Sequence, residues 1–227
     1  MWAIIKKELK TYFLSPIGYV VIGILLLVFS LFFWLTTIQS GSVDLSSLYY
    51  YVALYGLIIA VPMLTMRMFS EERKNGTEQL LLTSPISITK VVLGKLIASL
   101  GVIIITLLIS FGYFGLVSLF GKASIMSVLT AMLGFILVSV AALSVGMFAS
   151  SITENQVISA IVTVAFLVLT LFIENISSSL SSLSIMSFYE KFPVGVISLK
   201  EIAGLISFSI VFIALTILVM QRRKSVK

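Results

Sequence analysis

The sequence predicts an all-α, polytopic membrane protein: six transmembrane helices preceded by an amphipathic helix lying in the membrane interface. Three observations carry this reading. Hydrophobic residues make up 59% of the chain and charged residues 11%, where soluble domains hold about 25% charged residues. Too few charges remain to clothe a water-soluble surface. The apolar residues also run in long blocks, and a spanning helix needs about 20 of them in succession. Finally, the Lys and Arg residues gather at one end of those blocks.

Residues 1–16 form the first element. At about 100° per residue, Trp2, Ile5, Leu9, Tyr12 and Phe13 share one face, and Lys6, Lys7 and Lys10 share another. Ile4 lies off the apolar face. The pattern suits a helix in the interface before Pro16 redirects the chain, the alternative being a solvated basic tail. The three lysines also resemble the start of a signal peptide. However, the apolar run after Pro16 is too long for one and lacks a small-residue cleavage site, so the segment is expected to stay as an anchor.

The spans follow in order. Residues 17–38 carry no charge, and residues 48–69 carry only Arg67. Residues 88–120 exceed what a bilayer requires, so the first turns, holding Lys90 and Lys95, project beyond the hydrocarbon. Residues 125–149, 156–173 and 202–220 complete the set. Along the fourth span Ala142, Gly146 and Ser150 recur every fourth residue. Such a stripe lets a second helix approach closely, either within the chain or across a dimer. Between the last two spans, residues 174–200 are rich in serine but spaced by Leu180, Leu183, Met186, Phe188, Tyr189 and Phe192.

Six crossings put both termini on one side. Lys6, Lys7, Lys10, Arg67, Arg73, Lys74, Lys90, Lys95, Arg222, Arg223, Lys224 and Lys227 lie there, against Lys122, Lys191 and Lys200 on the other. The positive-inside rule makes that side cytoplasmic, which predicts a cytoplasmic (inner) membrane protein. The net charge of +6 is then a topology signal facing anionic lipid, with no nucleic-acid partner expected.

Several chemistries lack their residues. The chain has no cysteine and no histidine, which excludes disulfides and thiolate metal sites and removes the imidazole base. No charge sits at the predicted middle of a span, which argues against proton or sodium coupling, although carbonyls of a broken helix can bind sodium without one. A phosphate-binding loop needs glycine five positions before its Gly-Lys pair. Thr89 stands there for Gly94-Lys95 and Leu116 for Gly121-Lys122, and neither pair is followed by Ser or Thr. No cofactor and no catalytic residue is predicted in this chain, and ATP, if used, must bind another polypeptide. A lipid-modifying enzyme has little support, because the cytoplasmic loops lack His and a dense acidic cluster.

The loop of residues 70–90 is the longest on the cytoplasmic side. Glu71, Glu72, Arg73 and Lys74 prolong the second helix into water, and Asn75-Gly76 signals a turn. Thr77 can cap a short helix through Glu78 to Leu82 that Pro85 ends. Leu80, Leu81 and Leu82 cannot all face one side. Fully burying one leucine is worth about 1.5–3 kcal/mol, so the exposed part favours either a partner's groove or the bilayer interface.

Arg67, Phe69, Glu71-Glu72, Gly76-Thr77, Glu78, Leu80-Leu81-Leu82-Thr83, Pro85 and Gly94-Lys95 together resemble the corresponding loop of type-2 ATP-binding-cassette exporter permeases. Lys7-Glu8-Leu9 and Ser15-Pro16-Ile17-Gly18-Tyr19 are similar to gliding-motility and related export permeases. The resemblance covers essentially the whole chain and implies a single permease domain over residues 1–227. It implies a cytoplasmic coupling helix after the second span, with Glu71, Glu72, Gly76, Thr77, Glu78, Leu80, Leu81, Leu82, Thr83 and Pro85 docking an ATPase. It further implies two separate ATPase subunits carrying ATP and Mg, a second permease copy or a related chain, and an outer re-entrant segment at residues 174–200. Arg67 and Lys95 read as snorkelling anchors. An ATP-independent channel or carrier, or a non-transporting membrane scaffold, would be the alternatives. Nothing in the residues names the cargo.

Overall fold

The computed structural model describes residues 1–79, 86–176 and 184–225, and every regular element among them is helical. Helix α1 (Trp2–Leu14) ends at Ser15, whose extended backbone is what a residue before proline prefers. Pro16 then opens α2 (Pro16–Phe33), where its missing N–H costs nothing. The corner is tight: a Cβ on Gly18 would come within 2.7 Å of the Tyr12 carbonyl oxygen. A widened π-helical turn, Trp34–Ile38, extends α2.

The second crossing is composite. It joins α3 (Ser46–Tyr51), a second π-helical turn (Val52–Gly56), α4 (Leu57–Thr65) and α5 (Ser70–Lys74). Pro62 lies inside α4 and removes one backbone donor there. Then come α6 (Ile88–Ser118), α7 (Ile125–Ile152), α8 (Gln156–Ile176) and α9 (Leu199–Ser225). The 31 residues of α6 measure roughly 46 Å at about 1.5 Å per residue, against a hydrocarbon core of about 30 Å.

Among the described residues, five stretches are long and apolar enough to cross a membrane: Pro16–Ile38, Ser46–Lys74, Ile88–Ser118, Ile125–Ile152 and Leu199–Lys224. The remaining expected span, residues 156–173, falls on α8, whose described apolar part is the shorter Gln156–Phe172. Helices α4, α6 and α7 form the centre, while α2 and α9 leave most of their apolar surface open. That surface needs lipid or another membrane helix to cover it.

The end of the bundle away from the termini is closed by aromatic packing. Phe29 of α2 meets Tyr49 of α3 edge-on at 5.6 Å and Phe135 of α7 at 6.2 Å. Tyr189, from the turns that precede α9, is fully buried against them, and its hydroxyl donates to the carbonyls of Ala131 and Tyr49 at 3.3 and 3.4 Å. Phe192 fills the notch left by Gly134, where any Cβ would overlap the ring. Of the expected outer segment, residues 177–183 lie outside the described residues.

Helix α1 keeps Ile5, Leu9, Tyr12 and Phe13 of the expected face toward the protein, and departs from it at Trp2, Ile4 and Glu8. Its packed face is Ile5, Glu8 and Tyr12, with Ile4 and Leu9 alongside, whereas Trp2 is 74% exposed. The cause lies on α6, where Gly94 receives Ile4 and Gly101 receives Leu9. The Gly94 notch adds Ile4 to the packed face, beside the residues that the periodicity of α1 marks.

Candidate functional site

The loop after the second crossing is built on a junction between α5 and α7. Ser150 Oγ accepts the amides of Phe69 and Ser70 at 3.1 and 3.2 Å, and the Ser70 hydroxyl donates to the Ser150 carbonyl at 3.1 Å. One turn earlier, Gly146 lets Thr65 lie against α7, since a Cβ there would overlap Thr65 Oγ1. Ala142 is also buried, in contact with the same core. The Ala142, Gly146, Ser150 stripe is thus covered within the chain by α4 and α5.

Helix α5 is five residues long and ends by backbone geometry. Asn75 keeps a near-helical conformation, and Gly76 takes φ 71°, the left-handed region that glycine reaches without strain. The Gly76 amide donates to the Arg73 carbonyl at 3.0 Å. The Thr77 hydroxyl donates backward to the Glu72 carbonyl at 3.2 Å. Of the two amides it would cap in the forward direction, that of Gln79 donates to the Gly76 carbonyl at 3.4 Å, and that of residue 80 lies outside the described residues. Helix resumes at Glu78 and Gln79. Leu80, Leu81, Leu82, Thr83 and Pro85 also lie outside the described residues.

Three acidic residues of this loop are held in three ways. Glu71 pairs with Arg67 one turn back at 2.9 Å, both about a third exposed, a pairing worth about 0.3–0.5 kcal/mol. Glu72 turns inward, and its Oε1 accepts from Lys95 Nζ at 2.8 Å. The same ammonium donates to Glu8 Oε1 of α1 at 3.1 Å, and Lys95 is only 2% exposed. Its charge also stands 5.4 Å from the Phe69 ring centroid, within cation–π range. Lys7, largely exposed, lies 3.5 Å from Glu8 and 3.6 Å from Glu72. Lys95 is therefore no snorkelling anchor: two carboxylates from neighbouring elements draw it into the protein.

Glu78 is the third, 6% exposed. It accepts from Arg73 at 3.3 Å and from Arg223 of α9 at 3.4 Å. Arg73 also donates to the carbonyls of Ser151 and Ile152, and Arg223 donates to that of Ile152. These are the last carbonyls of α7, which have no partner inside their own helix. An open cleft beside them is bounded by Arg73, Gly76, Glu78, Thr153, Val219 and Arg223. Nearby, the Tyr12 hydroxyl donates to the Leu64 carbonyl at 3.1 Å. Burial, with the charge of Glu8 added, pushes the Tyr12 phenol well above its usual range and keeps it a donor.

Glu72 and Glu78 thus face into the protein, while Glu71 is about a third exposed and Gly76 and Thr77 are exposed. Sequence reasoning missed the inward role of Glu8, Lys95 and Arg223. The available signal was a lone lysine several residues inside an apolar helix, together with an acid on the packed side of α1.

A profile of the ABC-2 family transporter proteins matches residues 35–222, well over half of the chain. Among curated proteins, none matches it. The apolar crossings and this match agree, and the chain belongs to the ABC-2 transporter family as a multi-pass permease subunit of an ABC transporter.

Proposed function

We propose that this chain is the membrane half of an ATP-driven exporter and receives force through the loop that follows its second crossing. The observation that carries the reading is the mounting of that loop. Its inward acids tie it to α1 and α6 through Lys95 and to α9 through Arg223, so a push on the loop reaches several crossings. Its outward residues, Glu71, Gly76 and Thr77, together with Leu80, Leu81, Leu82, Thr83 and Pro85, meet the ATPase.

In this reading both termini are cytoplasmic in the inner membrane, and residues 1–227 form one permease domain. Helix α8 supplies the sixth crossing. It starts beside the α7 end held by Arg73, and Tyr189, further along the chain, lies beside Tyr49 at the opposite end. Two ATPase subunits bind ATP and Mg, and a second copy or a related permease completes the passage. Residues 174–200 form the outer re-entrant segment. ATP drives the cycle only if it binds one arrangement more tightly than the other, because equal affinity shifts nothing.

Replacing Leu81 and Leu82 with aspartate tests this. The variant should insert normally, yet lose its co-purifying ATPase. An unchanged ATPase yield would overturn the docking assignment.

A further inference from the structure

We infer that Lys95 is a positioning residue for coupling, which binds α1, the α5 loop and α6 into one body that moves as a unit. The inference rests on the force-receiving role of the loop and adds which elements travel with it.

One ammonium serves two carboxylates from elements far apart in the chain, at 3.1 Å to Glu8 and 2.8 Å to Glu72. Lys95 is nearly inaccessible to water, so separating either acid would strip the buried ammonium of one of its two hydrogen-bonding carboxylates with no water to take its place. Removing one partner from such a pair is far more costly than the pair is stabilising. Glu72 relies on that bond, because its other oxygen, Oε2, is buried with no hydrogen-bond partner among the described residues. Shape reinforces charge: Ile4 sits in the Gly94 notch and Leu9 in the Gly101 notch. The Tyr12 hydroxyl adds a link to the end of α4.

The link from the loop to α9 is looser. Arg223 reaches Glu78 and the Ile152 carbonyl only at 3.4 Å each, and its side chain is 29% exposed. Water can replace those contacts, whereas it cannot reach Lys95 without opening the core. Motion between the loop and the bundle therefore concentrates at α9, while α1, α5 and α6 stay together.

The chain contains no cysteine, so a cross-link can be placed cleanly. An ideal Cβ on Gly94 lies 3.2 Å from the Ile4 Cβ, close to the roughly 3.5–4.5 Å of a disulfide. The Ile4→Cys, Gly94→Cys variant is reconstituted with its co-purifying ATPase in vesicles, and ATP turnover is compared before and after reduction. The two should agree within about twofold, the usual scatter for uncoupled changes. Turnover that vanishes on oxidation and returns on reduction would show that α1 and α6 part during the cycle, and would overturn the inference.

A second measurement separates positioning from folding. Lys95→Met should retain the ATPase but lose its stimulated turnover by about tenfold or more, with Lys95→Arg recovering part of it. If Lys95→Met fails to fold, Glu8→Gln is read instead. Full turnover in a folded Lys95→Met or Glu8→Gln variant would overturn the inference. A wild-type complex with no ATP turnover at all would sink the coupling reading itself, and this inference with it.

Discussion

Ser70 donates twice to Ser150 across the ends of α5 and α7. The Ser70 hydroxyl donates to the Ser150 carbonyl, and the Ser70 amide donates to Ser150 Oγ. Because Ser150 also accepts from the Phe69 amide, one small side chain satisfies two buried backbone donors at the turn where the second crossing becomes the loop.

Ser150→Ala leaves both amides without that acceptor. An unsatisfied buried donor costs about 1–3 kcal/mol, so the variant should unfold at a clearly lower temperature in detergent. A Tm equal to wild type would show that water or another group replaces the serine.

Gly146→Ala should be destabilising by about 1–3 kcal/mol, the usual cost of overfilling a packed interface. The added methyl meets Thr65 Oγ1 and Cγ2. Combining it with Thr65→Ala removes both of those atoms and should recover part of the loss. Additive losses in the double variant would contradict the contact.

Tyr12 supplies a pH dependence with a definite sign. Its folded pKa is raised by burial and by Glu8, so the fold favours the neutral phenol. Its contribution is complete below the unfolded value of about 10 and is lost as pH rises beyond it toward the folded pKa. Tyr12→Phe should flatten the alkaline limb of a stability–pH curve recorded in detergent. Parallel curves would remove Tyr12 from the cause.

Much of the fold is legible in the residues because lipid imposes long uncharged blocks. The stretch expected at residues 17–38 appears as Pro16–Ile38, and that at 125–149 as Ile125–Ile152. The two π-helical turns leave no mark in hydropathy, since they change the register of carbonyls and not the polarity of side chains. The seating of α1 against α6 was illegible for a different reason. It is set by Gly94 and Gly101 on a helix more than eighty residues away, and the periodicity of α1 alone holds no information about them.

The site was legible as a stretch of chain and illegible in direction. Glu72 and Glu78 mark the loop as charged, but hydrogen bonds to Lys95 and Arg223 decide that they face inward. A lysine near a helix end satisfies the same sequence pattern whether it reaches for water or for two acids. Only the arrival of α1 beside α6 separates those cases.

The arginine caps on α7 have one more consequence. Arg73 grips main-chain oxygens of Ser151 and Ile152, and neither a guanidinium nor a peptide carbonyl changes protonation anywhere in the range cells experience. Acidification of the surrounding water would leave this fastening untouched.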